Sequence, residues 1–460
     1  MTSHPPSPSR RTFLKTAPLL TAIAAAPLAA LRRTAAAHAN STTTLKNEPE
    51  TLVTDPRLKL VFGDERMILP DGLQPSMLCT QAGTLIVQSQ LSTKPHPQPR
   101  IFYPYALSTV VSRDAGSTWQ ELALKPGDNG VNIEGGIVQL KSGEILALET
   151  YVTPGDRPGE GRGLLWTSTD DYRSLDGPHE MTFHIPNANF QGSTDDGGRP
   201  HAAMRLHRRV LELENGDLLT TLYGWLAGDN EPSGYTPTMK KTRCLLLRST
   251  NRGRHWELVS TIAADTNIGT EGFGEPVLAR ITKGPRKGRL ICQMRTGREL
   301  REAVSDDDGK TWSPHQPRVF ADLDVYRTDL WADMFRGFKR NNQLISENPN
   351  EYIGAVVDPD LLEAKSGLLI AAFGVRIPAR ACWTIPKHPW NGNYLAFSLD
   401  HGETWSHVVR LTTGVFTTHY MAIEETPEAG NFFVAYDFGH WRCKEGRYTY
   451  GRPLQITVQK

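Results

Sequence analysis

A motif of eight residues, S-x-D-x-G-x-T-W, recurs along this chain. Full copies lie at 112–119, 305–312 and 398–405, a weaker copy runs from Ser249 to Trp256, and a degenerate copy lies at 168–175. The residue types suit a β-hairpin turn, because Ser and Asp can bond to turn backbone, Gly accepts a positive φ, and Trp can pack beneath the turn. Repetition of this kind favours an array of similar sheet units.

Pairs of apolar strands joined by short Gly-containing turns accompany the motif. Six such hairpins are present, at 75–88, 133–148, 210–223, 276–294, 359–373 and 420–436. They predict an all-β fold, a six-bladed β-propeller with four-stranded antiparallel blades. Leu58–Phe62 would add the last strand of the sixth blade and close the ring. The rival architecture is a pair of β-sandwiches.

The N-terminus predicts export. Ser9–Lys15 reads S-R-R-T-F-L-K, a twin-arginine signal, and the apolar stretch Ala17–Leu31 that follows is too short and too rich in Ala to span a membrane. Ala37–Ala39 supplies small residues for cleavage. We expect a signal peptide at 1–39, a linker at 40–56, a propeller at 57–460 with an insertion at about 322–351, and a periplasmic or secreted location.

Charge and cysteine usage restrict the possible partners. The formal net charge of +1 becomes −4 once the five basic residues of 1–39 are removed, so it gives no general case for binding nucleic acid. The five cysteines are far apart and lack a C-x-x-C pair, and the histidines lack zinc-ligand spacing. We therefore expect no metal and no cofactor.

Strand direction predicts where a site would form. Residues that open the first strand of each hairpin, or follow its second strand, should meet on one face, whereas the motif turns should lie on the opposite face. The motif carboxylates are therefore expected to be structural. Polar residues concentrate on the predicted central face: Gln74, Gln88, Gln90, Glu134, Glu149, His201, Arg205, Asp229, Glu275, Arg295, Arg298, Asp358, Arg376, His419, Tyr420, Asp437 and His440.

The repeated motif and the six hairpins resemble the sialidase superfamily, in which this repeat is called the Asp box. The resemblance covers nearly all of the chain after the signal segment. It implies an exo-acting glycoside hydrolase that releases a terminal acidic sugar, such as sialic acid, from a glycan. Tyr420 matches the family's nucleophile, Glu275 matches the carboxylate that polarises it, and Arg295 matches one Arg of a carboxylate-binding triad. We expect Glu275 within hydrogen-bond reach of the Tyr420 hydroxyl.

Other family positions are not matched in this sequence. Gln74 stands where the family has the first Arg of the triad, and Arg376, with Arg380 as a rival, is the nearest substitute for the third. The stretch 91–105 has no carboxylate to act as the acid, so Asp195, Asp196 or His201 is the candidate. Arg298, His419 and Asp437 complete the predicted substrate-binding set.

Two other functions stay open at this point. A lyase or rhamnose-releasing propeller would use His201, His419 and His440 as acid and base. A non-catalytic carbohydrate-binding propeller would instead keep aromatic platforms such as Trp225, Trp331 and Trp383.

Overall fold

The computed structural model describes residues 47–95, 105–125, 130–190, 193–194, 200–201, 203–234, 239–268, 271–321, 323, 325–326, 339–340, 343–344, 354–377, 388, 390–440 and 446–459. These residues belong to one compact unit, Leu45–Lys460. The expected signal segment and most of the expected insertion lie outside the described residues. Within them the regular structure is β, apart from 3₁₀ turns at Ile133–Gly135 and Gly284–Arg286. No helix in this part of the chain has the length and hydropathy to cross a membrane.

The main strands are grouped here, in chain order, into six sets of four called units 1 to 6. Units 2 and 3 belong to one nine-stranded sheet, in which Asp176–His184 pairs in parallel with His255–Ala263. Before unit 1 come β1 (Glu50–Val53), β2 (Leu58–Phe62) and β3 (Arg66–Pro70). Unit 1 contains β4 (Gly72–Cys79), β5 (Leu85–Pro95), β6 (Tyr105–Ser112) and β7 (Gln120–Glu121). The second stretch contains β8 (Ile137–Gln139), β9 (Ile145–Leu148), β10 (Tyr151–Pro154), β11 (Glu160–Ser168) and β12 (Asp176–His184), and all of these but β10 make up unit 2.

The remaining strands follow the same plan. A small hairpin of β13 (Ser193–Thr194) and β14 (Pro200–His201) precedes unit 3, which contains β15 (Met204–Glu212), β16 (Leu218–Gly224), β17 (Arg243–Ser249) and β18 (His255–Ala263). Unit 4 contains β19 (Gly274–Arg280), β20 (Leu290–Arg295), β21 (Arg301–Ser305) and β22 (Gln316–Pro317). After the hairpin of β23 (Lys339–Arg340) and β24 (Gln343–Leu344), unit 5 contains β25 (Ala355–Glu363), β26 (Leu369–Arg376), β27 (Gly392–Ser398) and β28 (His407–Arg410). Unit 6 contains β29 (Met421–Glu425), β30 (Asn431–Phe438), β31 (Tyr448–Val458) and β2.

Strands from the early and the late part of the described chain pair in unit 6. β2 pairs antiparallel with β31, from Leu58 opposite Val458 to Phe62 opposite Leu454, so the predicted pairing of this N-terminal strand is present. β1 adds to the outer edge of unit 5 by pairing with β28. Part of the segment expected to be a linker, 40–56, is therefore a sheet strand.

Packing between successive units accounts for the apolar strands. β26 and β27 are buried along their whole length, because apolar side chains leave both faces of the sheet. The described residues form six core clusters, and each lies between consecutive units, including one between units 6 and 1. The first strands likewise contact one another in order, and β29 of unit 6 contacts β4 of unit 1. The arrangement is propeller-like.

The motif turns share one hydrogen-bond pattern between the third and fourth strands of units 1 to 5. In the copy at 398–405, Ser398 Oγ donates to Asp400 Oδ1 at 2.8 Å and accepts from the Gly402 N–H at 2.9 Å, and Asp400 Oδ1 accepts from the Thr404 N–H at 2.8 Å. The same bonds recur in the other copies, with Asn251 replacing the Asp in unit 3. Tyr172 replaces the glycine in unit 2 and still adopts a φ of 60°. The expected turn chemistry is present even in the degenerate copies.

The tryptophans of the motif are buried to different extents. Trp405 is buried in the core between units 4 and 5 and Trp256 in the core between units 2 and 3. Trp119 and Trp312 are only half-buried, although a Trp at this position of the motif was expected to pack beneath the turn. The Trp312 indole N–H donates to Ser260 Oγ at 3.0 Å and to the Gly309 carbonyl at 3.2 Å.

Candidate functional site

A repeated backbone irregularity opens the first strands, at the end opposite the motif turns. In units 1, 3, 4 and 5 two residues near the start of the first strand lie between consecutive paired positions, so the register shifts by one residue in units 1, 4 and 5 and by two in unit 3. The first of these two residues has a positive φ in each unit: Gln74 at 54°, Arg208 at 69°, Glu275 at 39° and Asp358 at 47°. His419, just before β29 of unit 6, has a φ of 69°. Such conformations cost non-glycine residues about 1–3 kcal/mol, and they concentrate at functional sites.

Tyr420, Glu275 and Arg295 form the centre of the site. The Tyr420 hydroxyl donates to Glu275 Oε1, so the contact predicted from the sequence is present. Arg295 Nη1 donates to the same carboxylate oxygen at 2.6 Å and to the Tyr420 hydroxyl oxygen at 3.1 Å. The phenol is thus held between a carboxylate and a guanidinium.

A second carboxylate binds the other arm of Arg295. Arg295 Nη2 donates to Glu271 Oε1 at 2.9 Å. The Arg295 side chain is 9% exposed and that of Glu271 is 12% exposed. The fork that was expected to receive a substrate carboxylate is occupied by two carboxylates of the protein itself.

Asp358 ties the site to unit 3 and to the strand that carries the tyrosine. Its carboxylate accepts from Arg208 Nη2 at 2.5 and 2.6 Å and from the Met421 N–H at 3.1 Å. Its own N–H donates to Glu275 Oε2 at 3.3 Å. Arg208 also donates to the Met421 carbonyl oxygen. These bonds fix Glu275 and the residue that follows Tyr420.

The pKa values of two carboxyl groups near the site are shifted in opposite directions. Burial alone would raise the pKa of Glu275, but the charge and hydrogen bond of Arg295, together with the Tyr420 hydroxyl, hold this pKa at about 2. Burial and the negative charge of Glu275 raise the pKa of Glu134, which precedes β8 of unit 2. Burial and the Glu275 charge also raise the pKa of Tyr420 well above its usual value. Such a division is typical of paired carboxyl groups that act as ionised base and protonated acid.

Arg205 contacts two tyrosines and acts electrostatically on Glu134. The Arg205 guanidinium lies 5.6 Å from the centre of the Tyr151 ring, and its Nη1 donates to the Tyr223 hydroxyl at 3.4 Å. Its charge opposes the rise in the pKa of Glu134. Glu275 and Glu134 in turn raise the pKa of Tyr223, after burial, so these groups share one electrostatic environment.

Two predicted residues, Arg376 of unit 5 and His419 just before the first strand of unit 6, are buried next to Tyr420. Arg376 Nη2 donates to the Thr418 carbonyl at 2.7 Å, and its guanidinium carbon lies 5.9 Å from the centre of the Tyr420 ring. His419 is buried, and burial together with the Arg376 charge lowers its pKa well below the usual value. His419 is therefore neutral, and its ring is unsuited to act as a charged acid.

Gln74, Asp437 and Arg298 also lie at this end of the strands. Asp437 is buried, and its oxygens accept from the Gln74 N–H at 2.8 Å, from Thr417 Oγ1 at 2.7 Å, and from both the N–H and the hydroxyl of Thr418. Asp437 thus binds the chain rather than facing solvent, in contrast to its predicted substrate contact. Arg298 is half-buried, and its carbonyl accepts from the Val356 N–H at 3.1 Å.

Several predicted residues lie outside the described part of the chain. These are Asp195, Asp196, Arg380, Trp331 and Trp383. The backbone of His201 belongs to β14, but its side chain is not among the described groups. The His440 ring lies 5.3 Å from the Phe416 ring, between centroids, and is tilted by 56° against it. In the described residues no group of three or more His, Cys, Asp and Glu side chains is arranged to hold a metal ion.

The site also contains four residues without a role predicted from the sequence: Glu134, Glu271, Arg208 and Asp358. Three of them were available: Glu134 and Asp358 were among the expected central-face residues, and Arg208 holds the position in unit 3 that Glu275 holds in unit 4. Glu271 gives no such signal, because it precedes β19 and reaches Arg295 only through tertiary folding.

Comparison with known proteins identifies the fold. No protein-family model matches the chain, and no curated protein matches it in sequence. A protein of unknown function from Dyadobacter fermentans shares 16% of its residues at a TM-score of 0.55, over 87% of this chain and 100% of that chain. The α-L-arabinofuranosidase Arb93A from Fusarium graminearum shares 11% at a TM-score of 0.51, over 86% and 98% of the two chains.

The NanB sialidase from Streptococcus pneumoniae is a more distant neighbour, with 12% identity and a TM-score of 0.48 over 84% of this chain and 68% of that chain. At these identities the similarity concerns the fold alone. This chain therefore has an all-β, propeller-like fold similar to that of the Dyadobacter fermentans protein and of Arb93A.

Proposed function

We propose that this chain is an exported glycoside hydrolase in which units 1 to 6 are the six blades of a β-propeller and Tyr420 is the nucleophile. The observation that carries the proposal is the contact of the Tyr420 hydroxyl with both Glu275 and Arg295. A tyrosine at its usual pKa of about 10 is a weak nucleophile at neutral pH and needs an adjacent base. The sugar-cleaving activity named for the Fusarium neighbour of similar fold is consistent with this proposal.

Bond cleavage then takes two balanced steps. In the first, the Tyr420 oxygen bonds to the anomeric carbon and its proton passes to Glu275, while Glu134 gives a proton to the departing glycosidic oxygen. In the second, water attacks the anomeric carbon and gives a proton to Glu134, and the Tyr420 oxygen leaves and recovers its proton from Glu275. Two displacements retain the anomeric configuration.

The surrounding residues supply the electrostatics. The Arg295 N–H at 3.1 Å from the Tyr420 oxygen stabilises negative charge that develops on this oxygen during the transfer. The pKa of about 2 keeps Glu275 ionised, and the raised pKa of Glu134 keeps a proton available to the leaving group. Asp358 and Arg208 hold the reacting pair in place.

The release of a sialic acid, which the sequence resemblance implies, has less support. That chemistry uses an open arginine triad, whereas Gln74 replaces one arginine and Arg295 is bound by Glu271 and Glu275. We propose exo-action on the terminal sugar of a glycan, with Arg298 and Arg376 as candidate contacts to the rest of the substrate.

Trapping of the covalent intermediate tests this mechanism. The mature protein is screened against chromogenic glycosides, and the best substrate is then prepared with fluorine beside the anomeric carbon to slow the second step. We expect a product of retained configuration and a glycosylated peptide that contains Tyr420. A sugar on Glu275 would overturn the role of the tyrosine, and turnover that persists in both Y420F and E275Q would overturn the site.

A further inference from the structure

The guanidinium of Arg295 is occupied by side chains of the protein in the way that a bound carboxylate ligand would occupy it. Its Nη1 donates to Glu275 at 2.6 Å and to Tyr420 at 3.1 Å, and its Nη2 donates to Glu271 at 2.9 Å. An arginine binds a carboxylate most strongly when two parallel N–H groups are available. In this site each terminal nitrogen already has a carboxylate partner.

The backbone around Glu271 holds its carboxylate in this place. The Glu271 N–H donates to the Thr296 carbonyl at 3.2 Å, and its carbonyl accepts from the Thr242 N–H at 3.0 Å. Gly272 follows at a φ of 82°, and a Cβ there would lie 2.4 Å from the Thr242 nitrogen, so only glycine fits. The segment is thus anchored on both sides of the carboxylate.

The charges bound directly to Arg295 disfavour a further anion there. Glu271, Glu275 and Arg295 together carry a formal charge of −1, and Gln74 adds no positive charge from unit 1. The charge of Arg208 is balanced by Asp358, and Arg376, 5.9 Å from the centre of the Tyr420 ring, donates to the Thr418 carbonyl. A substrate carboxylate next to the anomeric carbon would meet this excess in a largely buried environment. Like charges placed together at a binding site exclude the wrong partner effectively.

We infer that Glu271 occupies on Arg295 the place that a substrate carboxylate would take, so that the sugar cleaved is an aldose without a carboxylate on its anomeric carbon. This inference rests on the proposed glycoside hydrolase function, and it makes Glu271 a specificity-determining residue. Sugars whose anomeric carbon carries a carboxylate are excluded by the residue's charge and by its volume.

A matched pair of substrates tests the inference. One is a chromogenic glycoside of a sugar acid with the carboxylate on the anomeric carbon, and the other is the same glycoside as its uncharged amide. The ratio of kcat/KM for the acid to kcat/KM for the amide is measured in the wild type, E271Q and E271A. We expect this ratio to rise at least about tenfold in E271A, because both charge and volume are removed, and less in E271Q, where the amide still fills the place.

A charge-matched control separates this effect from a general change in charge. Glu299 pairs with Arg301 at 3.0 Å outside the site, so E299Q should leave the ratio unchanged. A ratio that is already high in the wild type, or that does not rise in either Glu271 variant, overturns the inference. If E271A does not fold, E271Q carries the comparison.

Failure of the proposed function gives a different result. If the wild type hydrolyses no glycoside, the binding of the free sugar acid and of its amide is compared by NMR titration in the wild type and the Glu271 variants. Tighter binding of the acid to the variants, with no such gain for the amide, supports the role of Glu271 without any turnover. Equal binding to all proteins overturns it.

Discussion

The two ends of the strands use repetition in different ways. At the turn end, the same hydrogen bonds recur in units 1 to 5, as at Ser305 with Asp307 and at Ser398 with Asp400, and Asn251 takes the place of the Asp in unit 3. At the site end, the recurrent feature is a left-handed backbone at the start of the first strand, whereas the side chain there changes from Gln74 to Arg208 to Glu275. The turn end thus repeats a set of hydrogen bonds, whereas the site end repeats only a backbone conformation.

This difference separates the stability of the fold from its activity. A turn whose side chains accept hydrogen bonds from its own backbone N–H groups can recur in every unit, because each copy stabilises only its own turn. A site needs different groups converging on one place, so the copies must diverge. Substitutions at the turn end should therefore change unfolding, and substitutions at the site end should change turnover.

The largest expected effect is at Glu275. In E275Q the Tyr420 hydroxyl loses the carboxylate that takes its proton, and Arg295 loses one of its two anionic partners. We expect kcat to fall about 10²–10⁴-fold, the usual contribution of a positioned base. Steady-state kinetics on the best glycoside from the screen, with thermal unfolding in parallel, measures it.

D400N, at the turn end of unit 5, is the matched amide control for E275Q. It should lower the unfolding temperature and leave kcat/KM close to the wild-type value. Loss of turnover in D400N with unchanged stability would remove the distinction between the two ends.

Trp405 and Trp312 compare two copies of one motif. W405A empties a buried site in the core between units 4 and 5, so the free energy of unfolding should fall by about 3–5 kcal/mol. W312A should cost less, because Trp312 is half-buried and part of its surface is already in water. Denaturant unfolding of the two variants gives the order, and a greater loss for W312A would contradict the burial argument.

The acid role of Glu134 predicts a specific change in the pH profile. Because burial raises the pKa of Glu134, the protonated form persists above the range of an ordinary carboxyl and is lost as the pH rises through the raised pKa. The alkaline limb of kcat should therefore vanish in E134Q, with the residual rate low at every pH. A glycoside with a good leaving group, such as dinitrophenol, should recover most of the lost rate.

Glu149 offers the comparison residue for this test, since it is a buried carboxylate of unit 2 that accepts from the Asn132 N–H at 3.0 Å. E149Q should keep the alkaline limb. If E134Q keeps it as well, another group is the acid.

The sequence predicts the parts of the structure in which the same residue types recur from unit to unit. The motif gave the position of the turns, the hairpins gave the order of the strands, and Leu58–Phe62 was correctly paired with the end of the chain. Strand direction then brought Tyr420 and Glu275 together although they are 145 residues apart. Each of these inferences depends on local pattern and topology.

The remaining part of the site depends on which groups neutralise one another. Arg295 was predicted to face a substrate, but Glu271 and Glu275 bind it, and no local pattern links Glu271 to Arg295. Asp437 was predicted from its strand end in the same way, yet its oxygens are filled by Gln74 and the 417–418 segment. Strand ends show which residues reach a face, whereas the pairing of their charges is decided by tertiary contacts.

The smallest expected effect is at Ser398, where a change in the stability of the turn should leave turnover at the site unchanged. Its hydroxyl is fully buried, donates to Asp400 Oδ1 at 2.8 Å and accepts from the Gly402 N–H at 2.9 Å. S398A leaves this buried N–H without its acceptor, so the free energy of unfolding should fall by about 1–3 kcal/mol. S366A removes a hydroxyl from an exposed turn of the same unit, where it accepts only a long bond of 3.3 Å from the Leu368 N–H, and should change stability by less than about 0.5 kcal/mol. Both variants should keep the wild-type kcat/KM, because neither residue lies at the site end of its strand. A turnover defect in S398A larger than its loss of folded protein would mean that the turn end also sets the geometry of Tyr420.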